Sequence, residues 1–145
     1  MKQQVGIAGA GSMGSGIAQV AATNGNIVTL FDTNIEALQK AKASIRSSLD
    51  KLVEKNKIEK TLSDSIFSQI TFTDNLNELK SSDLFIEAVI ENIEIKQSLF
   101  KSVESIVSDK CILATNTSSL PVIAIGSTCN QQDRIIGDRK SKRLN

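Results

Sequence analysis

Residues 5–16 read Val-Gly-Ile-Ala-Gly-Ala-Gly-Ser-Met-Gly-Ser-Gly, an apolar run that passes directly into glycines spaced Gly-x-Gly-x-x-Gly. Such a run is typical of a strand buried on both faces, and the glycines predict a tight turn that opens a helix at about Gly14. Gly9 would make the turn, Gly11 would let the main chain approach a diphosphate, and Gly14 would let the helix lie close to its strand. The helix N-terminus would offer N–H groups and a positive dipole to the phosphates. The predicted phosphate-binding residues are Gly9, Ala10, Gly11, Ser12, Met13 and Gly14.

A second strand and an acidic residue follow at the spacing that this loop requires. Asn24-Gly25 predicts the end of the helix, and residues 27–31 are apolar enough for another buried strand, after which comes Asp32. A carboxylate there can accept hydrogen bonds from the adenosine ribose of a dinucleotide. It would repel a 2′-phosphate, and the next basic residue is Lys40, so NAD is favoured over NADP. A glycine-rich turn that binds nothing remains the alternative interpretation.

The rest of the chain alternates helical and strand patterns. Thr33 and Glu36 have capping-box spacing at the start of a long helix that runs to about Lys55. Its predicted apolar stripe is Ile35, Leu38, Ile45, Leu49 and Leu52. The later elements are a short helix at 62–67, a strand at 70–72, a small helix or turn at 75–80, a strand at 83–90, a helix at 92–107 and a strand at 111–115. This alternation predicts an α/β fold, a doubly wound parallel sheet of the Rossmann type in a single domain.

Polar residues come just after two of the predicted strands. A sheet of this type binds ligands outside the carboxyl ends of its strands. Glu91, Asn116, Thr117 and Ser118 should therefore lie on the same edge as the glycine turn. Ordinary turn and capping chemistry before a helix that starts at Pro121 is an alternative reading of residues 116–119.

Composition excludes several other classes of protein. The net charge is +1 and only 3% of residues are aromatic, which argues against a nucleic-acid partner. The sequence has no apolar run of 18 residues and no signal-peptide pattern, so we expect a soluble, cytoplasmic protein with no membrane partner. Two cysteines and no histidine predict neither a disulfide framework nor a metal site.

The long second helix carries basic residues on its outer face. They are Lys40, Lys42, Arg46, Lys51 and Lys55. A solvated surface explains them, and docking of an anionic substrate tail is the alternative.

Three motifs in order, at residues 9–18, at 87–92 with Lys96, and at 114–120, strongly resemble the NAD-binding domain of 3-hydroxyacyl-CoA dehydrogenases, and within that family the bacterial 3-hydroxybutyryl-CoA dehydrogenases. The resemblance covers about residues 3–137. It implies reversible oxidation of a (3S)-3-hydroxyacyl-CoA to the 3-oxoacyl-CoA, with hydride passing to NAD.

The resemblance also implies roles for individual residues. Asp32 would hold the adenosine ribose, Glu91 and Lys96 would lie near the nicotinamide end, and Asn116 would contact the cofactor. Ser118 would contribute to the cofactor site and, as the catalytic residue, hydrogen-bond the 3-oxygen of the substrate. Ser48 and Lys55 match family positions that receive part of the CoA, so an acyl-CoA is the implied substrate.

The chain departs from the family pattern after Gly137. The family continues into Gly-x-His-Phe-x-Asn-Pro, whereas here residues 138–145 read Asp-Arg-Lys-Ser-Lys-Arg-Leu-Asn and Arg139 stands at the position of the catalytic histidine. A guanidinium cannot accept the proton of an alcohol. The partner glutamate of that histidine and the C-terminal helical domain, which carries the dimer contacts, also have no counterpart.

We therefore expect a fragment: residues 1–137 as an NAD-binding Rossmann domain and 138–145 as a disordered basic tail outside the family pattern. It should bind NAD with little or no turnover. Full-length members are expected to be homodimers, and a monomer is compatible with this fragment. Two other hypotheses remain open, namely a non-catalytic NAD-binding or interaction module and a dehydrogenase of another small hydroxy acid.

Overall fold

The computed structural model describes residues 2–116 and 120–137, which form one parallel sheet with helices on both faces. The strands are β1 (Gln4–Ala8), β2 (Ile27–Phe31), β3 (Ile70–Thr73), β4 (Leu84–Glu87), β5 (Ile112–Thr115) and β6 (Ile135–Ile136). The helices are α1 (Ser12–Thr23), α2 (Ile35–Glu54), α3 (Lys60–Ser68), α4 (Ile93–Glu104) and α5 (Val122–Gly126), with 3-10 turns at Leu76–Leu79 and Gln132–Arg134. The strand order is β3-β2-β1-β4-β5-β6 and every neighbouring pair is parallel. The predicted doubly wound Rossmann sheet is confirmed.

Two apolar cores lie on opposite faces of the sheet. Successive side chains of a strand point to opposite faces. Ile7 and Leu30 accordingly belong to the core that α1, α2 and α3 cover, whereas the next residues, Ala8 and Phe31, belong to the core beneath α4 and α5. The chain runs outward from β1 to β2 and β3 on one side and then crosses back from β3 to β4 on the other side of β1, so the strand order reverses between β1 and β4. That reversal opens the crevice in which such folds bind their ligands.

The N-termini of the first two helices differ from their predicted positions. Helix α1 begins at Ser12 and not at about Gly14, because Gly11 is already its N-cap. The capping box at Thr33 was wrong: the N-cap of α2 is Asn34, whose side chain accepts the N–H groups of Glu36 and Ala37. This shift leaves Ile35 49% exposed, outside the buried stripe in which it was expected.

The elements around β4 are shorter than predicted. Strand β4 ends at Glu87, so residues 88–91 form a loop and Glu91 lies four residues beyond the strand end. Helix α4 ends at Glu104, short of the predicted residue 107. Strand β6 was not predicted, since two residues are too few for a periodic pattern.

Residues 138–145, the predicted basic tail, lie outside the described residues. Among the described residues no helix is both long enough and apolar enough to cross a membrane.

Candidate dinucleotide-binding site

Two of the three motif glycines are required by contacts within the protein. Gly9 has φ +109°, and a Cβ there would lie 2.4 Å from the carbonyl oxygen of Ala88. A Cβ at Gly14 would lie 1.7 Å from the carbonyl oxygen of Gly9. A side chain at either position would collide with main chain, which cannot move aside cheaply. Gly9 thus makes the tight turn, and Gly14 brings α1 against it.

Gly11 is different, because no described residue requires it to be glycine. A Cβ at Gly11 would meet nothing within 4 Å, and its φ of −76° is open to any residue. Its carbonyl accepts the N–H of Ser15 at 2.9 Å, while the N-terminus of α1 has no side-chain cap. The first turn therefore presents main-chain N–H groups beside open space, and a side chain at Gly11 would fill that space. This geometry suits a diphosphate.

Asp32 fastens this loop to the end of β2. One carboxylate oxygen accepts the N–H of Ala10 and the other accepts the N–H of Asn34, each at 2.9 Å. The side chain is half-buried, and each carboxylate oxygen can accept a further hydrogen bond. Asp32 therefore has a structural bond to the loop and remaining capacity for ribose hydroxyls.

A groove of about 390 Å³ runs from the glycine loop between α1 and α2. The lining residues include Gly11, Ser12, Gln19, Lys40, Ser44 and Ser48. The Ser48 hydroxyl accepts a hydrogen bond from Gln19 Nε2 at 3.0 Å. Lys55, the C-cap of α2, is exposed and does not line the groove. Of the two predicted CoA residues, the structure thus brings only Ser48 to the groove.

A second cavity, of about 400 Å³, opens on the other side of Asp32. It is bounded by Phe31 and Thr33, which flank Asp32, and by one face of α4. The apolar side chains Leu76, Ile95 and Leu99 contribute to its lining. The cavity can accept a flat apolar ring attached to a ribose at Asp32.

A buried ionic cluster lies at the carboxyl ends of β4 and β5. Lys96 is 1% exposed and pairs with Glu87, which is fully buried. Lys96 Nζ also lies 3.0 Å from Glu91 Oε1 and donates to the carbonyl of Val89 at 3.3 Å. Its ammonium group thus contacts three protein oxygens. The position of Lys96 near the nicotinamide end of the cofactor stays a prediction. Glu91, whose side chain is 42% exposed, is the member of the cluster that reaches the surface.

The other residues predicted at this edge are only partly described. Asn116 is exposed, and its N–H donates to the carbonyl of Glu87 at 2.9 Å, which continues the β4–β5 pairing. Thr117 and Ser118, including the predicted catalytic serine, lie outside the described residues.

Sequence reasoning assigned no role to Glu87. The available signal was a carboxylate within an otherwise apolar strand, since a charge in a buried strand needs a partner. That partner, Lys96, lies nine residues further on.

The two cysteines lie away from this edge, in the core beneath α4 and α5. Burial raises the pKa of both the Cys111 and the Cys129 thiols, which keeps them protonated and unreactive at neutral pH. The described part of the chain contains no cluster of three or more His, Cys, Asp or Glu residues suited to a metal ion.

Comparison with known proteins agrees with this geometry. The family described as "3-hydroxyacyl-CoA dehydrogenase, NAD binding domain" matches residues 4–138. The probable 3-hydroxybutyryl-CoA dehydrogenase of Bacillus subtilis is 39% identical over 135 residues, which are 93% of this chain and 47% of that protein. The human mitochondrial hydroxyacyl-coenzyme A dehydrogenase is 38% identical over 145 residues, covering 93% of this chain and 45% of that protein.

Solved structures give the same result. The crystal structure of (S)-3-hydroxybutyryl-CoA dehydrogenase from Ralstonia eutropha superposes with a TM-score of 0.89 at 38% identity, covering 93% of this chain and 48% of that one. The chain thus spans about half the length of the relatives it matches. It belongs to the 3-hydroxyacyl-CoA dehydrogenase family and corresponds to the NAD-binding domain of that family.

Proposed function

We propose that this protein takes part in the reversible oxidation of a (3S)-3-hydroxyacyl-CoA, with 3-hydroxybutyryl-CoA as the substrate that its relatives' names suggest. The observation that carries the proposal is the loop at Gly11, where main-chain N–H groups without a side-chain cap lie beside space that no described residue fills. Family membership supplies the cofactor, NAD, and the substrate class follows from the relatives by analogy.

The described residues fit NAD along the edge of the sheet. The diphosphate would lie against Gly11, Ser12 and Met13, and the adenosine ribose would bond to Asp32. The cavity beside Phe31 and Thr33 would take the adenine. Because the Asp32 carboxylate would repel a 2′-phosphate, NAD should be preferred to NADP.

The acyl-CoA would bind where the groove between α1 and α2 meets the glycine loop. Ser48 lines this groove and Lys55 lies exposed at the end of the same helix, so both are proposed contacts for the polar, anionic part of CoA. Ser118 is the proposed partner of the 3-oxygen at the reacting carbon.

Oxidation of an alcohol needs one acceptor for the hydride and another for the proton. Bound NAD supplies the acceptor for the hydride. The proton must go to a base whose pKa lies near the working pH, and the 145 residues contain no histidine. We therefore expect these 145 residues to bind cofactor and acyl-CoA without turnover until a base is supplied from outside them.

The absence of histidine from the 145 residues also favours a second candidate function, namely NAD binding without hydride transfer. The two functions separate when the helical half of a relative, with its histidine–glutamate pair, is added. Restored reduction of acetoacetyl-CoA supports the dehydrogenase. A correctly folded hybrid without activity supports the non-catalytic module.

The deciding experiment for the binding claims is a parallel titration of the chain with NADH, NADPH and acetoacetyl-CoA. NADH and acetoacetyl-CoA should each bind saturably, and NADPH should bind at least about tenfold more weakly, a difference of ~1.4 kcal/mol. Equal binding of NADPH would contradict the role of Asp32. A response to short free hydroxy acids, with none to acetoacetyl-CoA, would contradict the substrate class.

A further inference from the structure

We propose that Glu87 is a positioning residue for the nicotinamide half of the site, acting through Lys96 on Glu91 and on the loop 88–91. This inference rests on the proposed binding of NAD along the sheet edge. It assigns a function to a fully buried carboxylate for which stability alone gives a poor account. A buried ion pair is often no more stabilising than apolar side chains of the same volume, so stability alone does not explain its presence here.

The Glu87 carboxylate connects three structural elements at one point. Oε2 accepts the N–H of Val89 at 2.8 Å and pairs with Lys96 of α4, while Oε1 accepts the hydroxyl of Thr115 at the end of β5. The end of β4, the end of β5 and the first turns of α4 are therefore fastened through one side chain.

Lys96 carries this fixation to the surface. Its ammonium group bonds Glu87, the Val89 carbonyl and Glu91 Oε1, so all three of its N–H groups have protein acceptors. Glu91 is the partly exposed end of this chain of three charges. Glu87 thus contributes, through Lys96, to holding the Glu91 carboxylate in place.

The strand order places this cluster beside the second nucleotide. Asp32 follows β2, on one side of β1, and Glu87 ends β4, on the other side. A dinucleotide that crosses the crevice with its adenosine at β2 must extend its other nucleotide over β4 and β5. A ligand that ends at the diphosphate would not reach the cluster.

This difference in reach provides the test. Replacement Glu87→Gln keeps the shape of the side chain and removes its charge. Affinity for NADH should fall by about tenfold, the scale expected for a hydrogen-bond partner of a charged group. Affinity for ADP, which occupies only the adenosine side, should stay within about twofold of wild type, because a change this small lies below the effect of one such bond. Isothermal titration calorimetry measures both affinities.

Two further variants keep the result interpretable. Asp83→Asn makes the same chemical change at the amino end of β4, where Asp83 accepts the N–H of Gln4, and it should alter neither affinity. The double variant Glu87→Gln with Lys96→Met removes both buried charges, so it should fold even where the single variant unfolds because Lys96 has lost its buried counter-charge. The double variant also removes the contact of Lys96 with Glu91, and NADH should bind weakly while ADP binds normally.

The outcomes separate this inference from the proposed function. Equal losses of NADH and ADP affinity, or full NADH affinity in the folded double variant, would overturn the positioning role. Failure of wild-type protein to bind both NADH and ADP would instead overturn the proposed function.

Discussion

The carboxylate of Asp32 accepts the main-chain N–H of Ala10 at 2.9 Å, so the acid at the end of β2 holds the glycine loop that follows β1. The sequence pattern assigns this acid to the ribose alone. The structure adds a second task, because the same side chain fixes the loop whose N–H groups face the proposed diphosphate. Substitutions at Asp32 must therefore be read against a control for stability.

Replacement Asp32→Ala should weaken NADH binding by about 1–3 kcal/mol, the cost of losing a charged hydrogen-bond partner. It should also lower the melting temperature, since the N–H groups of Ala10 and Asn34 lose their acceptor. The matched control is Asp83→Ala, which removes a carboxylate that accepts the N–H of Gln4 at 2.8 Å at the opposite edge. The control should lose stability and keep its affinity for NADH. Unchanged affinity in Asp32→Ala would reject the ribose role.

Replacement Gly11→Val should abolish saturable NADH binding and leave the fold intact. The added Cβ meets no described atom, but Val is a poorer N-cap than Gly, so the free energy of unfolding should fall by no more than ~1 kcal/mol. Gly14→Ala should behave in the opposite way and lose at least ~3 kcal/mol of stability, because its Cβ would lie 1.7 Å from the carbonyl oxygen of Gly9. Far-UV circular dichroism reports the fold of each variant and NADH fluorescence reports its binding, so together they distinguish the two variants. An unfolded Gly11→Val would mean that the residue serves the fold and not a ligand.

Replacement Lys55→Ala should weaken acetoacetyl-CoA binding by about 0.2–1 kcal/mol and leave NADH binding unchanged, as expected for an exposed charge that contacts an anionic ligand. The effect should shrink as the salt concentration rises. Lys51→Ala, one turn earlier on the same helix, is the control and should have no effect. Equal effects of the two replacements would indicate general surface charge and no specific contact.

Acidification should weaken the surface ionic cluster that Arg46 of α2 forms with Lys60 and Asp64 of α3. The hydrogen bond from Lys60 to Asp64 lowers the pKa of that carboxyl in the folded protein, and the charge of Arg46 acts in the same direction. A carboxyl whose folded pKa is depressed contributes stability above its unfolded pKa and loses it as the pH falls through the folded value. Wild type should melt above Asp64→Asn at neutral pH, and this difference should vanish in strong acid. A difference that grew on acidification would contradict the sign of the shift.

The sheet was predictable because its strands are continuous apolar runs separated by turn signals. Strand β2 occupies the predicted residues 27–31, and the Asp32 position followed from it. The turn at the glycine loop was equally predictable, because the roles of Gly9 and Gly14 are steric and depend on local geometry that the motif encodes.

The features that the sequence does not predict depend mainly on contacts between distant parts of the chain. Strand β4 ends at Glu87, whose side chain bonds Lys96 and Thr115, and no sequence periodicity displays such contacts. The burial of Lys96 has the same origin. Similarly, Asn34 and not Thr33 caps α2, a choice between adjacent polar residues that local spacing does not decide.

The most direct test of the central claim is a crystal structure of the protein grown with NADH. The diphosphate should lie within hydrogen-bond distance of the main-chain N–H groups of residues 11–13, with the adenosine ribose on the Asp32 carboxylate. Dinucleotide bound away from this loop, or a ribose that does not touch Asp32, would contradict the account.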